Sequence, residues 1–238
     1  MVKISERIKR IEENIRSACA RSDRDRRDVK LIVVTKSASF ESILEVIRLG
    51  ITNLGENRVQ QLKKVSSQLV DSLKDSEPVT LEKINWHMIG HLQRNKVRQV
   101  LPIACLIHSV DTLRLAEEIN ASAKKMNLQS KVLLQVNTSN EPQKYGVPVG
   151  AAIHLAEQLE TLPNLDLVGL MTMGPLTRDK SAVRSCFTRA AELFVEMRGE
   201  KIVGPKFTEL SMGMSSDYEI AVEEGATILR IGSAIFAG

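Results

Sequence analysis

The chain alternates between apolar runs typical of β-strands and amphipathic stretches typical of α-helices along almost all of its 238 residues. Such alternation produces either a doubly wound sheet or a (β/α)8 barrel. About eight β/α units in a chain of this length favour the barrel. The sequence therefore predicts one α/β domain over residues 1–238, a single (β/α)8 TIM-type barrel. The predicted strands are 31–35, 52–54, 86–89, 105–108, 132–137, 166–171, 207–211 and 226–231.

An extra helix precedes the first predicted strand. Ile4, Ile8, Ile11 and Ile15 recur at alternating four- and three-residue spacing, which indicates an amphipathic helix over residues 1–20. Its charged residues exclude a signal peptide. A turn is predicted at Gly90 and a polar stretch at 75–78. The later predicted helices cover 40–49, the segment 59–69, a segment that follows the Gly90 turn and runs through 97, a segment capped at 111, then 150–162 and 181–198.

Composition excludes several classes of protein. The chain is 43% hydrophobic and 26% charged, so extensive disorder is excluded. Aromatic residues make up 3%, too few for a base-stacking platform, and the net charge of +4 does not require nucleic acid. The three cysteines form no CxxC pair, and no apolar run approaches the roughly 20 residues of a membrane span. We expect a cytoplasmic protein with no nucleic-acid or membrane partner.

Chemistry in (β/α)8 barrels lies at the carboxyl ends of the strands, and polar or small residues follow most of the predicted strands here. We expect them to surround one ligand-sized site at that end of the barrel. The residues at these strand ends are Lys36, Asn57, Gly90, His108, Asn137, Ser211 and Gly232.

Lys36 ends the apolar run 31–35 and has two interpretations. It can be a snorkelling or ion-paired surface lysine. Alternatively, partial burial disfavours the ammonium form, and the neutral amine then attacks an aldehyde to form an imine. The first and last strands of a closed barrel are neighbours, so this amine would share one end of the barrel with the segment from Arg230 to Ser233.

Two glycine-serine segments, 211–217 and 231–234, follow the seventh and eighth predicted strands. Each alone is compatible with an ordinary loop, but loops after these two strands commonly bind phosphate in barrels. A strand-end lysine beside a phosphate loop points to pyridoxal phosphate. His87 and His91 lack further metal ligands in the sequence, so we interpret them as structural.

Several ordered motifs resemble those of one family. They are Val-Val-Thr-Lys at 33–36, Leu-Gly-Glu-Asn at 54–57, Trp-His-Met-Ile-Gly-His-Leu-Gln at 86–93, Gln-Val-Asn-Thr-Ser at 135–139, Gly-Leu-Met-Thr-Met-Gly at 169–174, Glu-Leu-Ser-Met-Gly-Met-Ser at 209–215 and Arg-Ile-Gly-Ser-Ala-Ile-Phe at 230–236. Together the motifs span nearly the whole chain. The sequence resembles the pyridoxal phosphate homeostasis proteins, also called the YggS or PROSC family.

The resemblance implies a barrel like the N-terminal domain of alanine racemase, with pyridoxal 5′-phosphate held as an imine on Lys36. It implies an arginine, Arg230, facing the pyridine nitrogen. The remaining cofactor-binding residues that it implies are Ser211, Gly213, Gly232 and Ser233 in the phosphate loops, and Asn57 and Met212 along the pocket. The sequence departs from the usual Thr-Lys-Pro after the lysine, where it has 37–39 Ser-Ala-Ser, and it stops at Gly238 where relatives continue.

An arginine at the pyridine nitrogen weakens the ring as an electron sink, because it does not accept the proton that an acidic partner would share. We therefore predict a carrier or regulator without robust turnover, which exchanges pyridoxal phosphate with amino acids and passes it to apo-enzymes, and we expect a monomer. One alternative is a small racemase or lyase using Tyr218 or water as a second base. Another is a phosphate-binding barrel isomerase without a cofactor, which would be colourless.

Overall fold

The computed structural model describes residues 3–73, 84–139 and 141–237, and within them eight parallel strands close into a barrel. The first barrel strand pairs with the last, with Val33 opposite Ile231, and the fourth pairs with the fifth, with Ile107 opposite Val132. The predicted (β/α)8 barrel is therefore confirmed. The strands are β1 (Lys30–Val34), β2 (Asn53–Glu56), β3 (Asn85–Met88), β4 (Ala104–Val110), β5 (Ser130–Asn137), β7 (Leu165–Met171), β8 (Glu209–Ser211) and β9 (Ile228–Ile231), with a two-residue β6 (Val147–Pro148) added beside β5.

Helices lie between the strands and cover the outside of the barrel. The predicted N-terminal helix is present as α1, residues Ile4–Arg21. None of the helices among the residues described is long and apolar enough to cross a membrane. The others are α2 (Phe40–Arg48), α3 (Val59–Leu73), α4 (Val97–Val100), α5 (Leu113–Lys125), α6 (Val149–Glu160), α7 (Lys180–Gly199), α8 (Tyr218–Glu223) and α9 (Ser233–Phe236).

The strands divide the apolar residues into two clusters, because alternate side chains of a strand point to opposite faces. The larger cluster lies between the strands and the helices, and includes Leu31 and Val33. A smaller cluster fills the barrel interior: Ile32, Leu106, Leu133, Val168, Met171 and Ile228. His108 lies two residues after Leu106 on β4, and Arg230 lies two residues after Ile228 on β9. Both polar side chains therefore also point into the barrel interior.

Helix α1 is fastened to the C-terminal end of the chain. Asn14 Nδ2 donates a hydrogen bond of 2.8 Å to the hydroxyl of Tyr218, and Arg7 donates to the carbonyl oxygens of Ile235 and Ala237. Because α9 lies next to the carboxyl ends of the strands, these contacts of α1 help to hold the residues around the site in place.

Local predictions failed in two segments. Asp111 does not cap α5; the Thr112 hydroxyl accepts from the Leu115 amide instead, which satisfies one of the free N–H groups at the helix start. The bend at Gly90 agrees with the turn predicted there, but the helix predicted to follow it through Val97 is a 3-10 segment at 94–96 and the short α4. The polar stretch predicted at 75–78 lies outside the described residues.

Candidate cofactor site

A cavity of about 620 Å³ opens at the carboxyl ends of the barrel strands. This is the end of the barrel at which the sequence predicted a site. The lining residues include five of the eight predicted cofactor-binding residues, which are Lys36, Asn57, Arg230, Gly232 and Ser233. The cavity therefore brings together residues from both ends of the chain.

Lys36 lies two residues beyond the end of β1 and lines the cavity. Because Val33 is paired with Ile231, the segments that follow β1 and β9 leave the barrel side by side. The lysine side chain is exposed, so the partial burial expected from the sequence is not found in the described structure. Its amine is accessible from solvent.

A second segment of the cavity wall carries converging backbone N–H groups. The amides of Gly232 and Ala234 donate to the Ser215 hydroxyl, at 3.4 and 3.1 Å. A Cβ atom at Gly232 would lie 2.9 Å from the Val34 carbonyl oxygen, so the close approach of this segment to β1 requires glycine. Together with Ser233, this glycine-serine segment is the candidate anion-binding segment of the cavity wall.

Three predicted residues, Ser211, Met212 and Gly213, do not line the cavity but lie beneath it. Met212 is fully buried in the core around the barrel. Gly213 has φ +90°, and its carbonyl oxygen accepts a 3.0 Å hydrogen bond from the Arg230 amide. The same loop reaches the cavity through its next residues, 214–216.

Arg230 lies between the barrel interior and the cavity, and its guanidinium is fixed at two points. Nη1 donates to the Ser211 hydroxyl at 2.6 Å, and Nη2 donates to the Thr172 carbonyl oxygen at 2.9 Å. Burial lowers the pKa of Arg230 to about 10, partly offset by the charge of Asp217. The side chain therefore remains a cation at neutral pH.

Two further residues that the sequence predicted around the site do not line the cavity. His108 is fully buried inside the barrel, because β4 continues to Val110 and leaves the histidine within the strand. Asn137 is outside the cavity lining, and its Nδ2 donates to the Glu141 carbonyl oxygen at 2.9 Å. Gly90 does line the cavity, where a Cβ atom would lie 2.2 Å from the Asn57 carbonyl oxygen.

The sequence did not identify an aromatic pair on the cavity wall. The rings of His91 and Tyr145 stack with centroids 4.2 Å apart and an interplanar angle of 16°. Both line the cavity, and Gln135 holds the tyrosine segment by donating to its carbonyl oxygen at 3.1 Å. His91 is thus at the site, whereas His87 is buried, as the structural interpretation predicted. The sequence does not distinguish the two histidines, because the contact of His91 with Tyr145 joins two separate loops.

Glu56 is a buried carboxyl group behind the lysine segment. Its Oε1 accepts a 2.5 Å hydrogen bond from the Thr35 hydroxyl, whereas Oε2 has no partner among the described residues. Burial raises the pKa of Glu56, and hydrogen bonds from Thr35 and Asn57 and the charge of Lys36 oppose the rise. Glu56 is the last residue of β2.

Tyr218, the base first considered for a racemase, lies away from the cavity. Tyr218 is buried against α1, and its hydroxyl accepts from Asn14, so it is not on the cavity wall. The described residues also contain no group of three or more His, Cys, Asp or Glu side chains that could hold a metal ion.

The barrel places a lysine and a glycine-serine loop together at the carboxyl ends of its strands, and the family model of the alanine racemase N-terminal domain matches residues 7–238, so the chain belongs to this class. The barrel of alanine racemase from Clostridium difficile 630 shares this fold, with a TM-score of 0.68 at 17% identity over 95% of this chain and 54% of that one.

More similar proteins identify the branch within this class. A pyridoxal phosphate homeostasis protein of Aquifex aeolicus is 40% identical over 232 residues, covering 97% of this chain and 96% of its own. The structure of PipY from Synechococcus elongatus PCC7942 with pyridoxal phosphate bound has a TM-score of 0.79 at 31% identity, and the match covers 98% of this chain and 100% of PipY. The chain therefore belongs to the pyridoxal phosphate homeostasis protein family.

Proposed function

We propose that the protein is a cytoplasmic carrier that holds pyridoxal phosphate reversibly on Lys36 and serves in the homeostasis of this cofactor. The observation that carries the proposal is the pairing of β1 with β9, because Lys36, Gly232 and Ser233, which follow these two strands, line one cavity. Its relatives' names and the cofactor in PipY support it. The three free cysteines fit a reducing compartment.

The residues present fit this cofactor. The close approach at Gly232 leaves a surface of N–H groups and hydroxyls for a phosphate, and the exposed Lys36 amine is free to meet an aldehyde. Bound there, pyridoxal phosphate would supply an aldehyde that joins the lysine nitrogen as an imine, with its oxygen leaving as water. Asn57 and Arg230 line the remaining wall beside it.

The chemistry of Arg230 supports a carrier instead of an efficient catalyst. The guanidinium is a hydrogen-bond donor with no acceptor, and both anchoring contacts hold it in this role. A donor of this kind leaves a ring nitrogen unprotonated, and the ring then stabilises a carbanion weakly. We propose that covalent exchange with amino acids is the only reaction, that apo-enzymes receive the cofactor, and that the carrier is a monomer.

The first test is the visible absorption spectrum of the purified protein with added pyridoxal phosphate, compared with the Lys36→Ala variant and with the exposed surface variant Lys9→Ala as control. We expect a yellow band in wild type and Lys9→Ala that Lys36→Ala lacks. Borohydride followed by peptide mass spectrometry should place the added mass on Lys36. Colourless wild-type protein would contradict the proposal and favour the cofactor-free isomerase.

A small racemase is the second candidate, and one observation favours it. Tyr145 and His91 supply proton-transferring groups on the cavity wall, in place of the Tyr218 first considered. Such an enzyme would racemise amino acids at rates of order 1 per second or faster, and Tyr145→Phe would abolish most of that rate. Chiral chromatography after incubation with common amino acids separates the two functions, because the carrier produces no sustained turnover.

A further inference from the structure

A continuous line of hydrogen bonds passes through the barrel interior beneath the cavity. Arg230 Nη1 lies 2.6 Å from Ser211 Oγ, which lies 3.0 Å from His108 Nδ1. His108 Nε2 lies 3.1 Å from His87 Nδ1, and His87 Nε2 lies 3.3 Å from Asn53 Oδ1. The five residues come from β9, β8, β4, β3 and β2, so the line crosses the barrel from one side of the ring to another.

Both histidines in this line are neutral. They are 2% and 0% exposed, and burial lowers the pKa of His87 to about 3 and that of His108 well below its ordinary value. The charges of Arg230 and Lys30 act in the same direction on His108. A neutral imidazole carries one N–H group and one acceptor nitrogen, so each ring can pass a hydrogen bond in one direction only.

The direction follows from the end of the line. Asn53 Oδ1 accepts only, so His87 carries its hydrogen on Nε2 and accepts at Nδ1. His108 therefore donates from Nε2 to His87 and accepts at Nδ1. Ser211 is left to donate its hydroxyl hydrogen to His108, and its oxygen lone pairs accept from Arg230. Every hydrogen in the line has an acceptor.

The reverse arrangement fails at both ends. A hydrogen on His108 Nδ1 would point at Ser211, and His87 would then turn an acceptor nitrogen toward Asn53 Oδ1. The Ser211 hydroxyl hydrogen would also need another acceptor, and among the described residues its hydrogen bonds are to His108 and Arg230 alone. Cys105 Sγ lies 3.8 Å from His87 Nε2, where sulfur is only a weak acceptor.

We propose that His108, supported by His87, is a positioning residue that acts through Ser211 to hold Arg230 in one orientation at the cofactor site. This proposal rests on the proposed function, because pyridoxal phosphate is the ligand that Arg230 would meet in the cavity. Two anchors, Ser211 Oγ and the Thr172 carbonyl oxygen, fix the guanidinium plane. The histidine line keeps the first anchor an acceptor of the Arg230 hydrogen bond, and Arg230 itself lines the cavity.

The first test uses nitrogen-15 NMR of the cofactor-free protein, and so does not depend on pyridoxal phosphate binding. We expect neutral Nε2–H forms of His87 and His108 between pH 5 and 8, and the signals of the exposed His154 serve as a reference in the same spectra. Arg230 should give resolved, slowly exchanging Nη hydrogens. An Nδ1–H form or a charged ring at His108 would overturn the proposal.

The second test compares His108→Leu with His108→Asn. Asparagine can keep an acceptor near the former Nδ1 position, whereas leucine leaves Ser211 without one. We expect His108→Leu to average the Arg230 Nη signals, to weaken pyridoxal phosphate binding about tenfold and to shift its absorption band, and His108→Asn to recover most of each effect. Resolved Arg230 signals in folded His108→Leu would overturn the positioning role.

The two tests also separate this proposal from the proposed function. If wild-type protein binds no pyridoxal phosphate, the proposed function fails, while the Arg230 signals in His108→Leu still decide the positioning role. If wild type binds the cofactor and folded His108→Leu binds it with unchanged affinity and spectrum, the proposed function stands and the positioning role is wrong.

Discussion

At Gly232 the backbone passes so close to β1 that a single methyl group would collide with it. The nearest atoms to an added Cβ are the carbonyl oxygen of Val34, at 2.9 Å, and its Cβ, at 3.1 Å. Both belong to a strand held in register on both sides, so neither can move away freely. The absence of a side chain is therefore part of the cavity wall.

The variant Gly232→Ala should displace the anion-binding segment from β1. We expect pyridoxal phosphate affinity to fall about tenfold or more and the free energy of unfolding to fall by about 1–3 kcal/mol, the usual cost of overpacking. Absorption titration and chemical denaturation measure the two effects. Gly150→Ala is the matched control, since an added Cβ there meets no atom within 4 Å. Equal affinities in both variants would contradict the role of this close approach.

The buried Glu56 carboxyl makes stability depend on pH. Because burial raises the pKa of Glu56 above its ordinary 4.5, the folded state favours the protonated form. The associated stability is present below pH 4.5 and is lost as pH rises through the raised pKa. A permanently neutral side chain at this position does not suffer that loss.

We therefore expect Glu56→Gln to gain stability relative to wild type as pH rises from 5 to 8. Thermal unfolding of both proteins across this range measures the difference. Glu117→Gln, at an exposed position of α5, is the control and should follow the wild-type pH dependence. A difference between Glu56→Gln and wild type that stays constant or shrinks with rising pH would show that the carboxyl is not held in its neutral form.

At the scale of elements, α1 acts on the site although it contributes no residue to the cavity lining described. Arg7 reaches the carbonyl oxygens at the end of α9, and α9 carries Ser233 and Phe236 into the cavity wall. Arg21 adds ion pairs of 3.1 Å to Glu219 and 2.7 Å to Glu223 on α8. The helix thus holds the two last helices of the barrel in place.

Removing the Arg7 contacts should loosen α9 more than the rest of the molecule. We expect Arg7→Ala to weaken pyridoxal phosphate binding a few-fold, with little change in overall stability, because a partly exposed hydrogen bond contributes about 1 kcal/mol. Faster hydrogen exchange of the α9 amides would accompany it. Lys9→Ala, exposed on the same helix, should leave both binding and exchange as in wild type, and an identical response in the two variants would refute the link.

The element order could be predicted from the sequence because strand and helix periods are local patterns. One failure was local, since the cap of α5 is Thr112 and not the adjacent Asp111. The others involve contacts distant in sequence. The turn predicted at Gly90 is present, and an added Cβ there would lie 2.2 Å from the Asn57 carbonyl oxygen, but the helix predicted after it is only a 3-10 segment and the short α4. The two-residue β6 forms only because Val147 meets Val136 of β5. Neither contact has a signal in the local sequence.

At the scale of the whole molecule, ligand binding and folding are linked. A ligand that binds only the folded state stabilises it by about 2.7 kcal/mol at a concentration one hundred times its Kd. For a chain of this size we expect pyridoxal phosphate to raise the Tm by about 5–10 °C under that condition. Differential scanning calorimetry tests this, with Lys36→Ala showing a smaller rise. Equal rises would place the binding energy away from Lys36.

How much of the site can be predicted from the sequence also depends on whether local patterns or contacts distant in sequence place each residue. Barrel closure alone places Lys36 beside Gly232 and Ser233, so these were predicted together and lie together. The stacked His91 and Tyr145 were missed because they meet across two loops. The line through His108 was also missed, since its strand proved longer than the apolar run that predicted it.

The pairing of β1 with β9 has a consequence during synthesis of the protein. Lys36 is translated well before its neighbours on the cavity wall, Arg230, Gly232 and Ser233. No nascent chain can assemble this wall until β9 has been made. Retention of the vitamin-derived ligand would therefore report that the ring of strands has closed, a form of quality control inherent in the order of the strands.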